Sequence, residues 1–155
     1  MLIQSMPSQA SIELLQRSKF VRVACAHEGQ PYVMPMLCAY DAGFLYSFST
    51  FGKKIDWMRA NPLVCVEADE FLNREDWATV IVCGRYEELP DTPDHDANRS
   101  HAHAVLQRRH PAWWEQAYVR TIIDGKERPL EPVYFRIRIA QIDGRRGVPD
   151  DRTAA

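Results

Sequence analysis

Between Val133 and Ala140 the chain alternates without a break: Val133, Phe135, Ile137 and Ile139 on one side, Tyr134, Arg136, Arg138 and Ala140 on the other. A period of two is the signature of a strand with one face buried, and it excludes a helix over these residues. Shorter runs of the same kind recur upstream, over 20–27, 32–40, 44–50, 63–69 and 78–89. They are punctuated by turn residues at Glu28-Gly29-Gln30-Pro31 and Asp41-Ala42-Gly43. Aromatic strands flanking Asp-x-Gly read as a hairpin. Helical spacing is confined to three places. Residues 8–18 carry Ile12 and Leu15, with Ser8 or Ser11 as the cap, and 53–60 carry Ile55 and Met58 before Asn61-Pro62 stops the helix. Residues 94–118 are polar with a thin stripe of Ala102, Val105 and Leu106, divided by Pro111. The chain is therefore expected to be mainly β with short helices (α+β), six strands forming a small barrel. Residues 1–146 make one domain and residues 147–155 a mobile tail.

A length of 155 residues suits one domain with a sizeable core. Lys plus Arg number 19 against 21 acids, a formal charge of -2, so the chain lacks the positive field that phosphate-backbone binding needs. Nucleic acid is not expected as a partner. No apolar run approaches the roughly 20 residues needed to span a bilayer, and no secretory signal opens the chain, so no membrane is expected and the setting is read as cytoplasmic. Cys25, Cys38, Cys65 and Cys83 form no CxxC pair and each lies in an apolar stretch, so they read as reduced core thiols.

The most informative stretch for chemistry is Tyr46-Ser47-Phe48-Ser49-Thr50-Phe51-Gly52-Lys53-Lys54, where a strand gives way to a helix. A helix N-terminus presents free amide hydrogens and partial positive charge, which favours anions and disfavours lysines. Two lysines there are better accommodated when a bound phosphate supplies the negative charge, with Ser49 and Thr50 donating further bonds. A solvated loop is the alternative for so short a motif.

The order of motifs is similar to that of the FMN-binding split barrels related to pyridoxamine 5'-phosphate oxidase, with the nitroimidazole-resistance (Nim-type) branch nearest. The resemblance rests on Pro35-x-x-x-x-Tyr40-Asp41-x-Gly43, Ser49-x-x-Gly52-Lys53-Lys54, Trp57-Met58-Arg59-x-Asn61-Pro62 and Val64-Cys65-Val66-Glu67. Trp77-x-Thr79-Val80-x-Val82-x-Gly84-Arg85-Tyr86 and the closing Phe135-Arg136-Ile137 run complete it. It implies a six-stranded antiparallel split β-barrel that forms a homodimer with FMN at the subunit interface. By position, Met34, Pro35, Met36 and Leu37 would meet the flavin ring through their backbone, and Ser47 and Phe48 the ring or ribityl chain. Lys53 and Lys54 fall on the pair that holds the phosphate, and Thr79 on a polar flavin contact. The implied activity is an FMN-dependent oxidoreductase passing electrons from NAD(P)H to a small-molecule acceptor such as a nitroaromatic or quinone. The alternative is a non-catalytic module that carries flavin or haem. The branch's third-strand histidine is replaced by Phe48, and the carboxy-terminal signatures for pyridoxamine phosphate are absent from 144–155, which argues against vitamin B6 synthesis.

Other groups read as structural. His27, Ser49 and Asp69 have no nucleophile-elbow context for a triad. His101 and His103 diverge by about 200° on a helix, so with His95 and His110 they do not form a metal site; haem ligation by one of them is the remaining alternative. Arg136 and Arg138 share a polar strand face, and Trp113, Trp114 and Tyr118 suit either a planar ring or a dimer interface.

Overall fold

Tight turns at the expected glycines set the first pairings. β2 (Phe20–His27) and β3 (Gln30–Leu37) meet in register from Phe20↔Leu37 to His27↔Gln30. The two linking residues, Glu28 and Gly29, both have positive φ (48° and 75°), which is the type I′ geometry that matches strand twist. Ala42-Gly43 (45° and 85°) joins β4 (Ala39–Asp41) to β5 (Phe44–Ser49) in the same way.

The computed structural model describes residues 1–111, 120–129 and 131–150. Around those hairpins lie β1 (Leu2–Ser5), α1 (Ser8–Arg17), α2 (Lys53–Ala60), β6 (Leu63–Asn73), β7 (Asp76–Glu88) and α3 (Asp96–Arg109). A short pair, β8 (Arg120–Ile123) and β9 (Lys126–Pro129), precedes the long β10 (Val133–Val148). The main sheet is antiparallel with order β3-β2-β6-β7-β10-β5-β4, and β1 adds to β10. Its two end strands, β3 and β4, are consecutive in the chain and separated only by Cys38. The sheet thus curls on itself without closing, and this is the expected split barrel.

The structure differs from the sequence expectations in several respects, beginning with the added strands β1, β8 and β9. The stretch expected as one strand over 32–40 is broken at Cys38, because its two halves pair with opposite ends of the sheet. β10 runs to Val148 and pairs Gly147 with Ile3 and Val148 with Leu2, so strand pairing enters the expected tail by two residues. The cap of α1 is Pro7 without a side-chain bond, and Ser11 Oγ instead donates to the Pro7 carbonyl at 3.3 Å. Among the cysteines, Cys25 and Cys38 are buried, but Cys65 is half-buried and Cys83 exposed, so only two are core thiols.

Inside the barrel, Val21, Val23, Leu45, Val66, Val80, Val82, Phe135 and Ile137 are essentially inaccessible, with Leu14 and Leu15 of α1 and Ile55 and Met58 of α2 packed on them. A second cluster lies outside β5, where Tyr46, Phe48, Leu89 and Tyr134 meet Ala102, Val105 and Leu106 of α3. The helix explains why Tyr134 is buried despite its place on the polar side of the alternation. At Gly84 the packing of β7 on β10 leaves no room for a side chain: a Cβ there would lie 2.6 Å from Ile137 Cγ2 and 2.8 Å from the Arg138 carbonyl oxygen. Gly84→Ala is therefore expected to destabilise the fold by about 1–3 kcal/mol through overpacking, read as a lower urea midpoint with an unchanged slope.

Candidate functional site

The sequence elements singled out for phosphate binding meet where β5 ends and α2 begins. Gly52 there has φ 153°, open to glycine and strained for other residues, and its carbonyl accepts the amides of Ile55 and Asp56 at 3.0 and 3.1 Å. The first helical amides, those of Lys53 and Lys54, have no intrahelical acceptor, as at any helix start. Both lysines lie in that first turn, against the helix dipole.

Lys53 Nζ sits 4.6 Å from the Tyr32 ring centre and 4.4 Å from that of Trp57, and Trp57 in turn packs on His27 and Tyr32 at 5.7 Å. The ammonium is thus steered by ring quadrupoles. Lys54 is half-buried, and burial pulls its ammonium below the usual lysine range. Among the described residues no ion pair joins a carboxylate to either lysine. Ser49 is buried and Thr50 half-buried beside them. The exposed Lys53 and half-buried Lys54 beside free helix amides make an arrangement of donors and positive charge chemically suited to an anion such as phosphate.

The helix bearing these lysines is clamped to the barrel. Arg59 in its last turn forks onto Glu88 of β7, both contacts at 2.7 Å, and the Tyr86 hydroxyl donates to the same carboxylate at 2.9 Å. The Arg59 hydrogen bonds hold the Glu88 carboxyl below its ordinary value of 4.5. A carboxyl depressed in the folded state stabilises it above the unfolded value and loses that contribution as pH falls through the folded one. Stability is expected to drop by about 1 kcal/mol on acidification from neutral pH through this carboxyl's titration, discounted for its partial exposure. The drop should be smaller in Glu88→Gln, as followed by urea melts across that range.

Of the other expected contacts, β3 carries Met34, Met36 and Leu37 with their side chains buried and Pro35 exposed. β3 ends the sheet, so alternate backbone groups face away from β2, although Pro35 offers no amide hydrogen and the Leu37 carbonyl is taken by Ser47. Ser47 is fully buried and donates to the Leu37 carbonyl at 2.7 Å, tying β5 to the end of β3. Phe48 lies under α3, its ring 6.1 Å from Tyr134. Thr79 is not brought to the lysines. It pairs with Arg145, whereas Ser49 pairs with Val133 at the other end of β10, and its hydroxyl donates to Glu67 Oε1 at 3.4 Å. Glu67 and Asp69 are both engaged by Arg22, the residue opposite Pro35, so Thr79 shares its surface with β3 rather than with α2.

Tyr32 and Trp57 are not among the site residues expected from the sequence, where Trp57 is only part of a motif and His27 only a triad candidate. The i, i+4 spacing of Lys53 and Trp57 was the available signal, and Tyr32 joins them only through the fold. The histidines in and flanking α3 have structural partners: His95 meets Thr92, His101 meets Asp41, His103 meets the Tyr134 hydroxyl and His110 the Cys38 carbonyl. No group of three metal-ligating side chains converges among the described residues. Arg136 and Arg138 both bind Glu87, at 2.8 and 2.9 Å, and Asp69 is held by Arg22. Trp113, Trp114 and Tyr118 lie outside the described residues. A cleft of about 670 Å³ between α1 and the β6–β7 hairpin is separate from the lysine site, lined by Arg17, Glu70, Trp77 and Arg146 among others. No helix is long and apolar enough to cross a membrane among the described residues.

Residues 7–146 match the family described as pyridoxamine 5'-phosphate oxidase. An uncharacterised protein of Rhizobium meliloti (strain 1021) is 32% identical over 145 residues, spanning 94% of this chain and 95% of that protein. The crystal structure of an FAD-binding protein from Mesorhizobium loti is similar with a TM-score of 0.75 and 41% identity, over 96% of this chain and 99% of that one. A candidate 5-nitroimidazole antibiotic resistance protein from Bacteroides thetaiotaomicron shares the fold at TM-score 0.66 and 19% identity, over 94% and 89%.

Proposed function

The chain belongs to the pyridoxamine 5'-phosphate oxidase family, and from that premise we propose that it binds FMN and works as a flavin-dependent oxidoreductase. The observation that supports this reading is the start of α2, where Lys53 and Lys54 share the first turn with free helix amides and, among the described residues, form no ion pair with a carboxylate, Asp56 of the same turn included. The FAD-binding description of the 41%-identical Mesorhizobium loti protein supports a flavin as the group the phosphate belongs to.

In this reading Lys54 and the first amides of α2 grip the phosphate, while the rings of Tyr32 and Trp57 hold the Lys53 ammonium at its edge. The backbone groups of β3 at 34–37 that remain free orient the planar ring, and Ser47 keeps the end of that strand in place. When bound, the flavin supplies the redox chemistry, taking a hydride from NADH or NADPH and passing electrons to a small acceptor such as a nitroaromatic or quinone. No side chain then needs to act as nucleophile or metal ligand. We place the site at the contact of two copies, because Thr79 and the lysines lie at opposite ends of β10 and a second chain can bring one to the other. We also propose a cytoplasmic setting, in which NADH and NADPH are available.

The test is the absorption spectrum of the purified protein, followed by anaerobic addition of NADH or NADPH. Flavin bands near about 370 and 450 nm that bleach with the nucleotide are expected. A colourless protein that takes up neither FMN nor FAD overturns the flavin reading. Bound flavin that neither nucleotide reduces overturns the catalytic part and leaves a flavin carrier. Released cofactor identified as FAD overturns the choice of FMN alone.

A further inference from the structure

Cys65 and Cys83 stand directly opposite one another on the antiparallel strands β6 and β7. Opposed residues of an antiparallel pair have Cα atoms about 4.5 or 5.5 Å apart, depending on their place in the ladder. Both spacings fall within the range of roughly 4.4–6.8 Å that disulfides occupy. The alternation of burial puts both side chains on the outer face: Val64, Val66, Val82 and Gly84 point inward, while Cys65 is half-buried and Cys83 exposed. Cys83 also faces Gln141 of β10 on its other side, so its lateral neighbours are Cys65 and a neutral amide. The other two thiols, Cys25 and Cys38, are buried, and neither has a cysteine as its strand partner.

We propose that Cys65 and Cys83 form a cross-strand dithiol that a hydroperoxide oxidises to an intrachain disulfide. The exposed Cys83 sulfur attacks the peroxide as thiolate, an S–O bond forms as the O–O bond breaks, and for hydrogen peroxide the leaving hydroxide becomes water. The Cys65 sulfur then attacks the Cys83 sulfenic acid, forming the S–S bond and expelling hydroxide, which takes up the Cys65 thiol proton. Two thiols and one peroxide thus become one disulfide and two waters. The strands already hold the partners in register, so the second step needs only a local approach of the two Cβ atoms, from about 4.5–5.5 Å in opposed strand residues to about 3.5–4.5 Å in a disulfide.

The experiment treats the reduced full-length protein with hydrogen peroxide and reads intact mass and a non-reducing peptide map. A loss of about 2 Da, reversed by a thiol reductant, with a peptide linking Cys65 to Cys83 is expected. Cys83→Ser should abolish the loss, and Cys65→Ser should trap Cys83 as a sulfenic acid that a 1,3-dione labels. Serine is close to isosteric, and the wild-type map decides the matter even where a variant fails to fold. Oxygen adducts without the linked peptide, linkage between two chains, or a linkage through Cys25 or Cys38 would each overturn the proposal.

Discussion

Replacing Lys53 and Lys54 together with alanine is expected to weaken flavin binding on the order of a hundredfold or more. Each charge-assisted contact contributes about 1.5–3 kcal/mol, and about 1.4 kcal/mol is a factor of ten. The fold should survive, because Lys53 is exposed, Lys54 half-buried, and α2 is fastened by Ile55, Met58 and the Arg59–Glu88 clamp rather than by its first turn. Removing two cations from a helix N-terminus also removes an unfavourable interaction with the dipole, so the variant should melt at or slightly above the wild-type temperature. Affinity is measured by titrating the apoprotein with FMN and following flavin fluorescence, with Lys19→Ala as a control for loss of an exposed charge elsewhere. Unchanged affinity in the double variant would remove the phosphate anchor from α2. Weaker binding at higher salt in the wild type, with a smaller salt effect in the variant, is the matching electrostatic signature.

Phe135→Ala should be the most destabilising of the substitutions considered, by about 3–5 kcal/mol in a urea melt. Phe135 is fully buried, packs against Tyr86 at a ring separation of 5.1 Å, and pairs with Ser47 on one side and Glu88 on the other. It sits where β5, β10 and β7 join the two halves of the sheet, and a cavity there cannot be filled without moving all three strands. Against a typical stability of about 5–15 kcal/mol for a domain, that loss is roughly a fifth of the total or more. Phe71→Ala is the contrast: that ring is 70% exposed, and the change should stay within about 0.5 kcal/mol. Similar losses from both would mean that Phe135 does not occupy the core in solution.

Patterns confined to a few consecutive residues were legible without coordinates. Period-two burial located the strands, and Gly29 and Gly43 marked their hairpins. The glycine before Lys53-Lys54 marked the start of α2. Even the hairpin that the sequence reading passed over, β8–β9, had its local sign in Asp124-Gly125, whose positive φ values of 52° and 72° make another type I′ turn. The missed strand β1 had no such sign: Leu2–Ser5 is exposed along its whole length, and its pairing depends on β10, more than a hundred residues away.

The candidate site divides along the same line. Local chemistry determines that two lysines and a glycine open a helix, because helix-end electrostatics depend on a few adjacent residues. Tertiary structure decided that Tyr32 reaches Lys53, that Ser47 is spent on the Leu37 carbonyl, and that Thr79 lies apart from the lysines. It also set Cys65 against Cys83, which the sequence spacing alone suggested were merely two core thiols. Strand neighbours in a sheet are chosen by topology and register, and neither can be read from one strand's own alternation, since a period of two is satisfied by any partner.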